Sequence, residues 1–162
     1  MKNVNAEFEI HHQRELEFAL FCIDFVAKEL NIPAKLVYQK LAESGLLQDY
    51  IIANYEMLHT LGKDYLVSDI IGLMRERSLF IKSTPHLQRE RKAMMASPVL
   101  LQRKYARIIA LLAEQLHISL AESLDRFMFS KTYELMSEGV ADMHCLSDGY
   151  LVEEIIREQQ NG

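Results

Sequence analysis

Residues 57–71 read MLHTLGKDYLVSDII, and residues 142–156 read DMHCLSDGYLVEEII. Seven of the fifteen aligned positions are identical: His, Leu, Tyr, Leu, Val, Ile and Ile. Amphipathic helices resemble one another by chance in their apolar spacing. Chance does not also keep a histidine, a tyrosine and the length of the loop between them. The match continues upstream, where IDFVAKELNIP at 23–33 lies on IALLAEQLHIS at 109–119 with an offset of 86. Ile23, Ala27, Leu30 and Ile32 then fall on Ile109, Ala113, Leu116 and Ile118, positions that lie mostly along one helical stripe. A one-residue deletion between 41 and 59 brings the offset to 85 for the rest. The pattern predicts an internal duplication.

Each copy reads as short helices joined by tight turns. In the first, 13–30 is apolar nearly all round, which predicts a central, buried helix. Pro33 suits the start of a second helix, where its missing N–H costs nothing, and Gly45 suits its left-handed end. A third helix is expected over 49–60 and a fourth over 63–77, with Leu66, Ile70 and Met74 inward. The second copy opens its second helix with a capping box, Ser119-Leu-Ala-Glu122, and its last helix with Ser147 or Asp148. The expected fold is all-α: two tandem related units of about four short helices each, 1–78 and 105–162, joined by a basic connector at 79–104. Units this small are marginal alone, so they are expected to pack together, onto a partner or into a homo-oligomer.

Composition agrees with that architecture. A hydrophobic share of 49% over 162 residues can form a packed core, and few Gly and Pro argue for helices over sheets. The longest strongly apolar stretches, 18–23 and 108–113, are six residues each, against about twenty for a membrane span. The N-terminus MKNVNAEFEIHH lacks the apolar run of a secretory signal, and Cys22 and Cys145 show no CxxC spacing. Those features predict a cytoplasmic protein with reduced thiols.

The net charge of −5 is unevenly spread: −4 over 1–77, +5 over 78–104 and −6 over 105–162. The basic block holds Arg89, Arg91, Lys92, Arg103 and Lys104, with Arg107 just beyond it. Three roles follow from charge alone. The block clamps the acidic units, lines phosphates, or reaches a partner. An acidic pI of 5.7 and the lack of a recognition helix argue against nucleic acid. Met94 and Met95 add adaptable apolar anchors beside the cations and point toward a protein partner.

Catalytic chemistry finds no foothold. His59 and His144 recur in both copies, yet the nearby carboxylates sit at unmatched distances, so no acid–base pair emerges. The commonest role for such histidines is structural, bonding backbone beside Tyr65 or Tyr150, with partner contact as the next reading. His144 and Cys145 are adjacent and His11 and His12 are adjacent, neither a metal-binding spacing. No Gly-rich phosphate loop, GxSxG or HExxH occurs. The expectation is a protein that is not an enzyme, with no catalytic, metal or cofactor site.

The first copy, FCIDFVAKELNIPAKLVYQKLAESGLLQDYIIANYEMLHTLGKDYLVSDII, resembles a family of small all-helical bacterial domains of unknown function. The second, KYARIIALLAEQLHISLAESLDRFMFSKTYELMSEGVADMHCLSDGYLVEEII, is similar to a companion family. Members are usually separate short proteins encoded beside a small protein similar to ADP-ribosyltransferase toxins. The resemblance implies an antitoxin that neutralises such a toxin by direct contact, and it carries over no catalytic residues. The rival expectation is a DNA-binding autoregulator of the same operon. Residues expected to touch a partner are Arg89, Arg91, Lys92, Met94, Met95, His59 and His144.

Overall fold

Leucine, isoleucine and valine recur every three or four positions from Leu16 to Val26, and the chain answers with an 18-residue helix, α1 (Gln13–Leu30). The computed structural model describes residues 9–77 and 97–162. Regular structure among the described residues is helical, without a strand. The described chain divides into two compact units, one holding α1 to α4 and the other α5 to α8.

In the first unit α1 buries Leu16, Ala19, Leu20, Cys22, Ile23, Val26 and Ala27. Burial pushes the Cys22 thiol well above its ordinary range, partly offset by a backbone hydrogen bond, so it is a packing group rather than a nucleophile. The helix is less completely enclosed than its composition suggests. Phe18, Phe21 and Phe25 stay half-buried along another face, with ring centroids 6.4 and 4.7 Å apart in succession. The helix ends where Asn31 turns left-handed (φ 53°) and the Ile32 N–H bonds back to the Ala27 carbonyl at 3.0 Å. That six-to-one bond closes a Schellman turn.

Helix α2 (Ala34–Glu43) starts after Pro33 and stops at Gly45, whose φ of 78° favours glycine. A Cβ there would also stand 3.0 Å from the Asp49 carboxylate. Beyond it the sequence reading expects one helix over 49–60. The backbone instead forms a π-helical turn, Leu47–Ile52, and then a separate single turn, α3 (Tyr55–Leu58). Spacing explains the difference. Leu46 and Leu47 precede Ile51 and Ile52 by five residues, and only a turn wider than 3.6 residues keeps all four inward. Helix α4 (Lys63–Glu76) buries Leu66, Val67, Ile70, Ile71 and Met74. Its end is pinned by Arg77, which donates to the Ser44 carbonyl at 2.6 Å.

The second unit also runs from a long helix to a 14-residue last helix, but between them it has a seven-residue helix and a 3₁₀ turn in place of a π-helical turn and a single α-turn. Helix α5 (Pro98–Leu116) begins on its proline, so residues 98–104, which the sequence reading gives to the connector, are its first turns. It ends as α1 does: His117 is left-handed (φ 55°) and the Ile118 N–H reaches the Ala113 carbonyl at 3.1 Å. Helix α6 (Leu120–Met128) is capped by Ser119, whose hydroxyl accepts from the Glu122 N–H at 3.1 Å. The Glu122 carboxylate turns to Arg126 at 2.6 Å. Helix α7 (Lys131–Ser137) is capped twice. The Ser130 hydroxyl accepts from the Tyr133 N–H, and the Glu158 carboxylate accepts from the N–H groups of Lys131 and Thr132 at 2.7 and 2.8 Å. A 3₁₀ turn, Val140–Cys145, leads to α8 (Asp148–Asn161), with Ser147 as its N-cap. Tyr105, Phe127 and Tyr133 fill this core, their ring centroids 4.9 to 5.5 Å apart.

Candidate functional site

The start of the last helix is built alike in both units. In α4, Leu61 precedes the N-cap Gly62 and Tyr65 is the third helical residue; in α8, Leu146 precedes the N-cap Ser147 and Tyr150 is the third. A leucine just before an N-cap is a staple position that packs partly onto the first turn. That accounts for Leu61 and Leu146, which remain 37% and 39% exposed. It does not account for the tyrosines. Tyr65 is 64% exposed and Tyr150 46% exposed, each at the aligned place in its own unit.

Around this shared feature the two units differ. Lys104 donates to the Leu146 carbonyl at 2.8 Å and to the Asp148 carboxylate at 2.9 Å, while Arg107 donates to the other Asp148 oxygen at 2.9 Å. Partial burial works to raise the Asp148 carboxyl. The hydrogen bonds and positive charges of Lys104 and Arg107 outweigh it and hold the group below the ordinary carboxylate range. Two cations of the basic region are therefore engaged within the second unit, tying α5 to the start of α8. Arg103 is exposed.

On the first unit, α4 carries a shallow, open depression of about 240 Å³ lined by Tyr65, Ser68, Asp69, Gly72, Leu73 and Glu76. The spacing of these residues places them along one side of the helix. A Cβ at Gly72 would meet nothing within 4 Å, so the surface is open there. The Tyr50 hydroxyl donates to Asp69 and orients that carboxylate. Burial, followed by the bond to Asp69 and its charge, raises the Tyr50 phenol so far that it stays protonated.

His59 is exposed at the end of α3. Its Nδ1 lies 2.6 Å from the Tyr55 carbonyl, and its ring stacks on Tyr55 with centroids 4.6 Å apart. The backbone contact is thus with the preceding turn of α3 rather than beside Tyr65. Tyr55 in turn meets Phe18 edge-on at 5.5 Å, and Lys63 stands over the Phe25 ring at 5.0 Å. His144 is half-buried in the 3₁₀ turn. Arg89, Arg91, Lys92, Met94 and Met95 lie outside the described residues. No group of three or more His, Cys, Asp or Glu among the described residues is placed to hold a metal, and no described helix is long and apolar enough to cross a membrane.

Sequence reading alone missed the α4 depression. The signal that would have found it is a difference at the 85-residue offset: Gly72 falls on Arg157, and Asp69 on Glu154.

Residues 17–77 match a family model described as a protein of unknown function (DUF3791). The matched span runs from α1 through α4 and ends with the first unit's described residues. It agrees with the reading of that unit as a small helical domain of unknown function. No curated protein and no solved structure matches the chain.

Proposed function

We propose that the chain is a non-catalytic binding protein, built from a duplicated helical unit, that acts as the antitoxin of an ADP-ribosyltransferase-like toxin and neutralises it by direct contact. The observation that carries the binding role is the pair of exposed tyrosines, Tyr65 and Tyr150, each at the third position of its unit's last helix. Tyrosine concentrates at protein interfaces because it offers a large rigid surface and a polar tip at low entropic cost. The duplication is supported by the matched Schellman turns at Ile32 and Ile118 and by the 14-residue last helix that each unit carries. The nature of the partner rests on the resemblance of both copies to helical proteins encoded beside such toxins.

Protein is favoured over DNA as the partner by Lys104 and Arg107, which are committed to Asp148. Acidic units also oppose a phosphate backbone. The test is co-expression with the product of the adjacent gene. An antitoxin restores growth and co-purifies with its neighbour in a one-step capture. A neighbour without transferase-like residues, or one that neither harms growth nor binds, sinks the reading. Salt-sensitive binding to the operon's own DNA in place of the neighbour would establish the autoregulator.

A further inference from the structure

We infer that Lys104 and Asp148 form an ion-sensitive latch that keeps the segment from Val140 to Tyr150 closed, and that weakening the latch opens this segment ahead of the rest of the second unit. The start of α4 in the first unit is fastened by rings and has no such dependence. The latch belongs to the second unit alone and holds whatever the chain binds.

The first support is the shape of the contact. Lys104 donates to two acceptors on the segment at once, the Leu146 carbonyl just before the N-cap and the Asp148 carboxylate just after it. Arg107 donates to the second Asp148 oxygen. The Lys104 and Asp148 side chains are 14% and 27% exposed, sheltered enough for the pair to count and open enough for salt to reach it.

The second is how little else holds the segment. None of its described side chains from Val140 to Tyr150 is buried. Gly139 at its start and Asp142 within it both lie in the left-handed region, with φ of 70° and 49°, and for aspartate that backbone carries strain. A segment with so little apolar burial opens at a low free energy, so a modest ionic contact decides its state.

The third is a comparison within the chain. At an offset of 86 the seven buried residues of α1 fall one for one on the seven buried residues of α5. That register puts Phe18 and Phe21 at the places of Lys104 and Arg107, and the 85-residue offset puts Lys63 at the place of Asp148. Phenylalanine cannot donate to a carboxylate. The first unit instead sets Lys63 over the Phe25 ring at 5.0 Å, with the Phe21 and Phe25 centroids 4.7 Å apart. Apolar ring packing survives salt that screens an ion pair. Val140, Leu146 and Tyr150 are exposed on the latched segment, so ionic conditions govern the surface presented there and not the one around Tyr65.

Backbone amide exchange of the full chain tests the latch, because aligned amides serve as target and control in one molecule. The Leu146 N–H donates to the Met143 carbonyl and the Leu151 N–H to the Ser147 carbonyl. In the first unit the Leu61 N–H donates to the Leu58 carbonyl and the Leu66 N–H to the Gly62 carbonyl. Raising potassium chloride from about 0.1 to 1 M shortens the screening length from roughly 10 to 3 Å. Leu146 and Leu151 should then exchange about two- to fivefold faster, the size expected of a partly exposed ion pair, while Leu61 and Leu66 hold. Lys104→Met keeps the aliphatic stem and should speed the same two amides about tenfold while removing their salt response. In the wild type their exchange should also outpace that of Leu112 within α5 and depend less on denaturant, the mark of local opening. The salt and denaturant arms use the wild type, so they decide the matter even if Lys104→Met does not fold. A salt response shared equally by Leu61 and Leu66 would overturn the latch. So would exchange of Leu146 and Leu151 at the rate and denaturant dependence of Leu112, or unchanged protection in Lys104→Met.

Discussion

Lys104, in the second turn of α5, holds the carboxylate of Asp148, the first residue of α8, with Nζ 2.9 Å from Oδ1. The bond makes the second unit's stability depend on acid. The Asp148 carboxyl lies below its ordinary value of 3.8 in the folded chain, so its contribution is complete above that pH. It is lost as pH falls through 3.8 and on through the lower folded value. At neutral pH Asp148→Asn should cost about 1 kcal/mol, a charge-assisted bond discounted for partial exposure. Denaturant midpoints of wild type and variant should converge below pH 3.8. A constant gap at all pH values would show that the carboxylate charge contributes nothing.

Glu158 acts on a helix other than its own. Its carboxylate accepts the N–H groups of Lys131 and Thr132, and the Thr132 hydroxyl, at the start of α7. Removing it by Glu158→Ala leaves two first-turn donors without this acceptor and should cost about 1–2 kcal/mol. Glu158→Gln keeps one acceptor oxygen and should recover part of the loss. Hydrogen exchange is the direct measurement, since protection should fall first at the amides of 131 and 132.

Both long helices end on non-glycine residues in the left-handed region, Asn31 and His117. Asparagine tolerates that region better than most residues, whereas histidine gives up more. His117→Gly should therefore stabilise the chain by about 0.5–1 kcal/mol, and Asn31→Gly by less. Thermal melts of the two variants, compared with His117→Val as a destabilising control, decide it.

His59 is matched by His144 at the 85-residue offset, yet it is exposed and bonded within its own turn. A buried structural hydrogen bond would cost about 1–3 kcal/mol to remove. An exposed one should cost about 0.5 kcal/mol or less, so His59→Ala should melt nearly as wild type. Lost partner binding with unchanged melting would assign His59 to the interface.

Much of the helical scaffold was legible in the residues, for reasons that particular positions make plain. Leu66, Ile70 and Met74 share one helical face and are buried together; Gly45 and Ser147 terminate and start helices through local chemistry that depends on few neighbours. The π-helical turn at Leu47–Ile52 was not legible as such, because a five-residue apolar spacing is read only when the core that demands it is known. The commitment of Lys104 and Arg107 to Asp148 spans more than forty residues and left no local trace. The α4 depression draws on residues spread over three turns, Tyr65 to Glu76, and no local pattern of charge or apolar spacing marks it.

The tyrosines give the sharpest test of the binding role. Tyr65→Ser and Tyr150→Ser alter exposed side chains, so each should leave the melting temperature within the roughly 0.5 kcal/mol typical of surface changes. If both copies of the motif contact the partner, each substitution should speed dissociation, by about 10- to 100-fold for a central anchor, with little change in association. If the Tyr65 side alone is used, Tyr150→Ser should be silent and Tyr65→Ser should carry the whole effect. Surface-immobilised neighbour protein, with each variant flowed over it, resolves the two rates. A double variant that dissociates as slowly as wild type would remove the tyrosines from the interface. Arg89, Arg91, Lys92, Met94 and Met95 would then be the next positions to change, because cations beside flexible apolar side chains offer the other anchor of suitable chemistry.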